Sequence, residues 1–235
     1  MTSGTPQIPD RRLRTPRVAA IAGVIFGLLM IATFTIINLN IPAVDEDTGA
    51  WLETSAGPVT IALALIPFAG IAFLWFMGVL RDRIGLLEDQ FFSTLFLGSG
   101  LLYLGLVLTG AAMAGGLMTA YVLEPSIMIE GDVYIFARAV MYRINNVYSI
   151  RMAGMFMFVL ATIWVRTGVM PRVLGLITYV VAILLLVSIS FFPWMAGIFP
   201  AWVLLISVYI LVLNYRNRKD DHAGAVDDKT EGSAE

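Results

Sequence analysis

Three arginines in the second half of the chain have a charge and a spacing that could serve to bind an anionic group. Arg138, Arg143 and Arg151 stand among apolar and tyrosine residues in a chain that is otherwise strongly apolar. Positions 143 and 151 share a face on a continuous helix, and position 138 is turned away from it. Basic residues at a membrane surface attract anionic head groups. We therefore predict that these arginines bind an anionic lipid or the acidic residues of a partner protein at the outer leaflet.

A structural interpretation of the same arginines stays open. Long basic side chains can lie along apolar surface while their charges reach the membrane interface. Glu124, Glu130 and Asp132 lie nearby in the sequence and offer carboxylates for ion pairs with them. The same acids define a further alternative, a membrane enzyme that uses them for catalysis, although they lack the spacing of metal ligands.

Most catalytic chemistry is excluded by residues that the sequence lacks. It contains no cysteine, and its single histidine, His222, lies in a polar tail. Thiolate metal sites, cysteine nucleophiles and Ser-His proteases are therefore excluded. The apolar stretches also lack the buried carboxylates on which proton-coupled pumps depend. We predict no enzymatic activity, no cofactor, no metal ion and no nucleic-acid partner.

The composition indicates the kind of fold that must position the arginines. Hydrophobic residues make up 59% and charged residues 14% of the 235 residues, whereas soluble domains have about 45–50% and about 25%. The apolar residues form runs of ~20 residues, the length at which a helix crosses a bilayer. The predicted fold is an all-α polytopic bundle of about six transmembrane helices, at 18–40, 59–80, 91–120, 148–165, 172–192 and from 194 or 200 to 215.

The segment 126–147, just before the fourth predicted helix, is ambiguous. Its apolar positions recur at helical spacing, and Asp132 is suited to cap the N-terminus of a helix. This pattern predicts an amphipathic helix that lies on the outer surface, re-enters the membrane or continues into the fourth helix.

The distribution of basic residues predicts the orientation of the bundle. Most of the 15 basic residues fall in segments on the side of the N-terminus, which the positive-inside rule places in the cytoplasm. An even number of helices then puts both termini inside. We predict a multi-pass protein of the bacterial inner membrane with a basic N-terminal segment, 1–17, a transmembrane domain, 18–215, and a disordered acidic tail, 216–235.

Two rows of small residues predict close helix packing. Gly23 and Gly27 lie one helical turn apart in the first predicted helix, and the third predicted helix carries a longer row. Such rows let helix backbones approach each other, either within one protein or between subunits. The row in the third helix consists of Gly105, Thr109, Ala112 and Gly116.

A short motif between the second and third predicted helices resembles a known signature. The sequence Gly78-Val-Leu-Arg-Asp82-Arg83-Ile-Gly85 is similar to the cytoplasmic loop motif of major facilitator transporters. The basic residues that follow in that family are replaced here by Leu86, Leu87, Glu88 and Asp89. We interpret the motif as a short charged turn.

The whole chain is similar to a family of six-helix actinobacterial membrane proteins of poorly characterised function. The resemblance is carried by Arg14-Thr-Pro-Arg-Val-Ala-Ala-Ile-Ala-Gly23, by Pro67-Phe-Ala-Gly-Ile-Ala-Phe-Leu-Trp-Phe-Met-Gly78 and by Thr167-Gly-Val-Met-Pro-Arg-Val-Leu-Gly175. It implies a structural role in a larger membrane machine, of which the accessory membrane subunit of MCE-type lipid importers is an example.

The function expected from these features is that of a non-catalytic accessory subunit of an inner-membrane assembly, with membrane lipids and other integral subunits as its partners. The alternative is a transporter of small molecules or lipids that acts alone. That alternative predicts a cavity at mid-membrane depth lined by polar residues such as Thr33, Thr35, Thr109, Thr178, Tyr179 and Ser188.

Overall fold

The elements of the chain are helices throughout the part that the structure describes. The computed structural model describes residues 15–44, 46–84, 90–125, 132–168, 170–187 and 193–231. The helices are α1 (Thr15–Asn40), α2 (Trp51–Thr54), α3 (Ala56–Ile84), α4 (Gln90–Leu123), α5 (Asp132–Arg143), α6 (Ser149–Thr167), α7 (Arg172–Val187) and α8 (Ile198–Glu231). A π-helical turn, Ile144–Tyr148, joins α5 to α6, and a 3-10 turn, Pro193–Gly197, precedes α8. The predicted all-α class is confirmed.

Five helical stretches in the described residues are long and apolar enough to cross a membrane. They are Val18–Asn40, Ala56–Arg81, Gln90–Leu123, Asp132–Thr167 and Trp194–Leu213. The chain is therefore built as a multi-pass membrane protein. The fifth predicted helix corresponds to α7, which is apolar but has 16 residues, fewer than the ~20 that a spanning helix needs. Residues 188–192, which the sequence assigns to the same helix, lie outside the described residues.

An aromatic cluster holds five of the helices together. The ring of Phe73 in α3 lies 4.7 Å from Phe26 in α1, 5.5 Å from Phe156 in α6 and 5.8 Å from Phe199 in α8, measured between centroids. Tyr103 in α4 completes the cluster at 5.6 Å from Phe73. Each such pair adds about 0.5–1.5 kcal/mol beyond the burial of apolar area. The helices around this cluster therefore form one packed body.

The glycines of α1 permit its close approach to α8. A Cβ atom at Gly23 would overlap the hydroxyl oxygen of Ser207 and lie 2.9 Å from the ring of Phe76. One turn later, a Cβ at Gly27 would lie 2.7 Å from the Cβ of Leu204. The first row of small residues is thus used for packing within the chain.

Several helix boundaries differ from the sequence-based ones. The motif interpreted as a short charged turn is part of α3 as far as Ile84. Residues 85–89 lie outside the described residues. From Asp132 onward, the segment before the fourth predicted helix is a helix, α5, and it runs into α6 through backbone that stays helical on both sides of the π turn. Residues 126–131 lie outside the described residues. Of the alternatives predicted for this segment, the structure therefore shows continuity with α6 for residues 132–147.

The structure describes the two terminal segments to different extents. Residues 1–14 of the basic N-terminal segment lie outside the described residues. The tail, for which the composition predicts disorder, belongs to α8, which runs to Glu231; the disorder stays a prediction. A helix satisfies its own backbone hydrogen bonds, and the tail contains alanine, lysine, arginine and glutamate, which favour helices without any tertiary contact.

Candidate functional site

A buried ion pair joins α5 to the connection between α1 and α3, residues 41–55. The Nε of Arg138 donates to Oδ2 of Asp47 at 2.5 Å, and the two side chains are 8% and 1% exposed. The Nη2 of Arg138 also donates to the carbonyl oxygen of Pro42 at 2.7 Å. Both contacts tie α5 to the connection, and burying the two charges requires that both partners stay in place.

The other oxygen of the Asp47 carboxylate extends this network. Its Oδ1 accepts a hydrogen bond from the hydroxyl of Tyr134 at 2.8 Å and another from the backbone N–H of Gly49 at 2.9 Å. The indole Nε1 of Trp51 donates to the Tyr134 hydroxyl at 2.8 Å. Both oxygens of Asp47 therefore have partners, since Oδ2 pairs with Arg138 and Oδ1 accepts two hydrogen bonds. The network joins α5 to the connection, including α2.

A small apolar cluster surrounds the network at this end of the bundle. Trp51 and Leu52 from α2 are buried together with Val59 from α3 and Leu117 from α4. Met141 from α5 belongs to the same cluster. The connection between α1 and α3 is therefore a packed part of the fold, held by apolar burial as well as by the ion pair.

A cavity of about 640 Å³ lies beside this network. Proteins hold small molecules in cavities of about 300–1,000 Å³, so its size suits a ligand. Its apolar wall comes from α1, α3 and α4 and includes Phe34, Ile37, Leu63, Ile66, Val107 and Ala111. The connection contributes Pro42, Ala43 and Val44 to the same cavity. The ion pair of Asp47 and Arg138 thus fixes one wall of the cavity.

The polar groups of the cavity lie on α5, on the π turn and at the end of α1. Arg143, Asn145 and Asn146 line it from one side, and Asn38 lines it from α1. The π turn carries both adjacent asparagines, and single π turns inside α-helices often mark functional sites. The cavity therefore combines an extended apolar wall with a small set of hydrogen-bonding groups.

Gly110 of α4 makes room for one of these amides. A Cβ atom at this position would overlap the side-chain amide of Asn145. Because Gly110 lacks that atom, Asn145 can lie directly against the backbone of α4. A glycine in the middle of a helix is otherwise unfavourable by about 0.5–1 kcal/mol relative to alanine, which indicates that this contact matters to the fold.

The three arginines predicted as a binding site have separate environments. Arg143 is exposed and lines the cavity, and no residue in the described part of the chain forms an ion pair with it. Arg138 also lines the cavity, but Asp47 and Pro42 occupy its guanidinium. Arg151 is half-buried and lies outside the cavity, about 12 Å farther along the helix axis than Arg143.

The carboxylate that pairs with Arg138 is not one that the sequence suggested. Glu124, Glu130 and Asp132 were the expected partners because they are close in sequence. The partner found is Asp47, which comes from a different connection. Glu130 lies outside the described residues.

The second row of small residues faces outward. Gly105, Thr109, Ala112 and Gly116 are all exposed on α4, and a Cβ atom at Gly105 or Gly116 would meet nothing within 4 Å. The hydroxyl of Thr109 donates to the carbonyl of Gly105 within the same helix. In contrast to the row in α1, this row makes no close helix contact within the described chain.

The residues expected to line a transport cavity do not line this one. Thr33 donates to the carbonyl of Ala62, and Thr178 accepts from the indole of Trp202. The hydroxyl of Tyr179 donates to Thr162. Ser188 lies outside the described residues. The functional groups that sequence reasoning missed are Asn38, Asn145 and Asp47, and the pair Asn145-Asn146 inside an apolar helix was the signal available for them.

No protein-family model matches the chain, and no curated protein or solved structure matches it either. The chemistry of the cavity is therefore the basis of the function proposed for this chain. The described residues that line it include no aspartate, glutamate, histidine, cysteine or serine. Such a wall can hold an amphipathic molecule through apolar contacts, amides, the phenol of Tyr142 and the guanidinium of Arg143.

Proposed function

We propose that this protein is a non-catalytic subunit of a larger membrane assembly that handles lipids. The observation that carries the proposal is the chemistry of the cavity. Its described wall combines apolar side chains with three amides, two guanidinium groups and the phenol of Tyr142, and it contains no aspartate, glutamate, histidine, lysine, cysteine, serine or threonine. A site of this kind binds an amphipathic molecule and leaves its bonds intact.

The topology proposed is that of six spans with both termini in the cytoplasm of a bacterium, in its inner membrane. Five spans are the long apolar stretches of the structure, and α7 is the sixth. The basic residues Arg81, Arg166 and Arg172 lie at the ends of α3, α6 and α7 that this arrangement places in the cytoplasm, as the positive-inside rule requires.

The outward row of α4 supports the role as a subunit. The chain contains two rows of small residues, and the row at Gly23 and Gly27 packs against α8. The row at Gly105 and Gly116 has the same character but stays exposed. Small residues at a helix surface allow another helix to pack closely. We propose that a helix of a partner subunit packs there.

Purification from native membranes in a mild detergent tests this role. We expect a defined integral-membrane partner to co-purify with the wild-type chain and to be lost with Gly105→Leu. Gly78→Leu is the matched control, because Gly78 is also exposed with nothing within 4 Å of an added Cβ, and it should retain the partner. Repeated recovery of the wild-type chain as a lone monomer would contradict the proposal.

A transporter that acts alone is the second candidate, and the cavity of about 640 Å³ is the observation that favours it. Reconstitution of only this chain into proteoliposomes separates the two candidates. Flux of a lipid probe between the leaflets or across the membrane would favour the transporter. We expect no flux, because the assembly proposal assigns movement to other subunits.

A further inference from the structure

Among the residues that the structure describes, the cavity wall carries one guanidinium without an ion-pair partner, and this charge and the position of the cavity indicate its ligand. We infer that it binds a single-chain amphiphile with an anionic head group, which Arg143 and the neighbouring amides hold at the outer membrane surface. This inference rests on the proposed lipid-handling function and names the class of lipid. Its elements are the charge of the wall, the depth of the cavity and the arrangement of polar and apolar groups.

The charge of the wall comes from Arg143. The charge of Arg138 is balanced by Asp47 in the buried ion pair. Arg143 lines the same cavity and has no ion-pair partner in the part of the chain that the structure describes. The described lining thus carries one uncompensated guanidinium, and a guanidinium binds phosphate and carboxylate oxygens through charge-assisted hydrogen bonds. An anionic head group is the complement of this wall.

The depth of the cavity follows from the lengths of the helices. Ala196, from the 3-10 turn between α7 and α8, lines the cavity beside the residues of α5. Ala196 is also the third residue of the apolar stretch Trp194–Leu213, and the first residues of a spanning stretch lie near the membrane surface. This end of the cavity therefore lies near the level of the lipid head groups. The 34 residues of α4 span about 51 Å, and Val107, at the middle of that helix, also lines the cavity. The apolar wall therefore extends from this surface toward the middle of the ~30 Å hydrocarbon layer.

The two kinds of lining group divide the cavity in a way that fits an amphiphile. Arg143, Asn145 and Asn146 lie within four consecutive positions and present a guanidinium and two amides together. Phe34, Leu63 and Val107 line it from three other helices and present only apolar surface. A head group bound at the first set places its chain along the second set. The volume of about 640 Å³ lies within the range for ligands of moderate size, which suits one chain.

Binding of a fluorescent acid to the purified full chain in a neutral detergent tests the inference. The probe is dansylaminoundecanoic acid, and its uncharged methyl ester is the comparison. We expect the wild-type chain to bind the acid more tightly than the ester. Arg143→Gln should weaken binding of the acid by about ten- to a hundredfold, because a hydrogen bond to a charged group is lost, and should leave binding of the ester unchanged.

Two further variants separate a lost charge from a lost fold. Arg151→Gln removes an arginine of the same continuous helix that lies outside the cavity, and it should bind both probes as the wild type does. Ala139→Trp places a large side chain at an exposed position of the cavity wall, and it should weaken binding of both probes. Unchanged binding of the ester to Arg143→Gln shows that this variant is folded.

Displacement experiments identify the source of the anion. We expect lysophosphatidic acid to displace the bound probe and acetate or inorganic phosphate at the same concentration to fail, because the chain contributes to binding. Displacement by acetate or phosphate would overturn the assignment to an amphiphile. Equal affinity of the wild type for acid and ester, or full binding of the acid by Arg143→Gln, would overturn the role of Arg143. None of these results depends on a partner subunit, so they stay distinguishable from failure of the assembly proposal.

Discussion

Arg138 of α5 and Asp47 of the connection between α1 and α3 are 91 residues apart in sequence and form a buried ion pair. The pair fixes the connection against α5, and residues of both elements line the same cavity. The shape of the proposed lipid site therefore depends on a contact outside the group of residues that would touch the lipid.

Asp47→Asn should destabilise the protein strongly. The substitution leaves the buried charge of Arg138 without its counter-ion, and breaking a buried pair in this way costs about 3–5 kcal/mol. Thermal unfolding in detergent should show a lower midpoint for this variant. Glu46→Gln is the matched control, because Glu46 is the exposed neighbour of Asp47, and its midpoint should equal that of the wild type. Equal midpoints for both variants would show that the pair does not hold the connection.

Tyr134→Phe should have a smaller effect of the same kind. It removes the hydroxyl that donates to Asp47 and accepts from Trp51, so two polar groups each lose one partner. The loss of such contacts costs about 1–3 kcal/mol, measured as the free energy of unfolding in denaturant. Tyr148→Phe provides the comparison, because Tyr148 is exposed and should tolerate the change. A cost at Tyr148 as large as that at Tyr134 would argue against the network.

Gly23→Ala should destabilise the contact between α1 and α8, whereas Gly116→Ala should not destabilise the chain. An added Cβ at Gly23 overlaps Ser207, and overpacking typically costs about 1–3 kcal/mol. At Gly116 an added Cβ meets nothing within 4 Å, and alanine favours a helix over glycine by about 1 kcal/mol. The unfolding free energies of the isolated chain in detergent measure both effects. A stable Gly23→Ala variant would mean that α1 and α8 are less closely packed than the structure shows.

The sequence was sufficient for the features that depend on local pattern. The long apolar stretches in the described residues correspond to five of the six predicted spans, because the length and hydropathy of a spanning helix are properties of one continuous segment. The sequence predicts packing for the small residues of both α1 and α4, and the structure shows it for α1. Which row packs inside the chain was not predictable, because the two rows have the same local character and differ only in what lies opposite.

The site depended on contacts that a single sequence does not display. Glu124 and Asp132 were expected to pair with Arg138 because they are close to it in sequence, whereas Asp47 reaches it through the packing of α5 on the connection. The asparagines of the π turn are visible in the sequence as polar residues near an apolar helix, but their place in a cavity depends on six other segments. The sequence predicts Arg143 as a binding residue, and the structure places it in the cavity wall; its binding of a lipid stays a prediction.

Lipid analysis by mass spectrometry on the chain purified from its own membrane tests the central claim most directly. We expect about one anionic single-chain amphiphile per wild-type chain, chemically unaltered and enriched over its share of the bulk membrane. The same lipid should be missing from Arg143→Gln and present in Arg151→Gln. A lipid profile of the wild type that equals the bulk membrane, or that of Arg143→Gln, would contradict the claim that this cavity holds an anionic lipid.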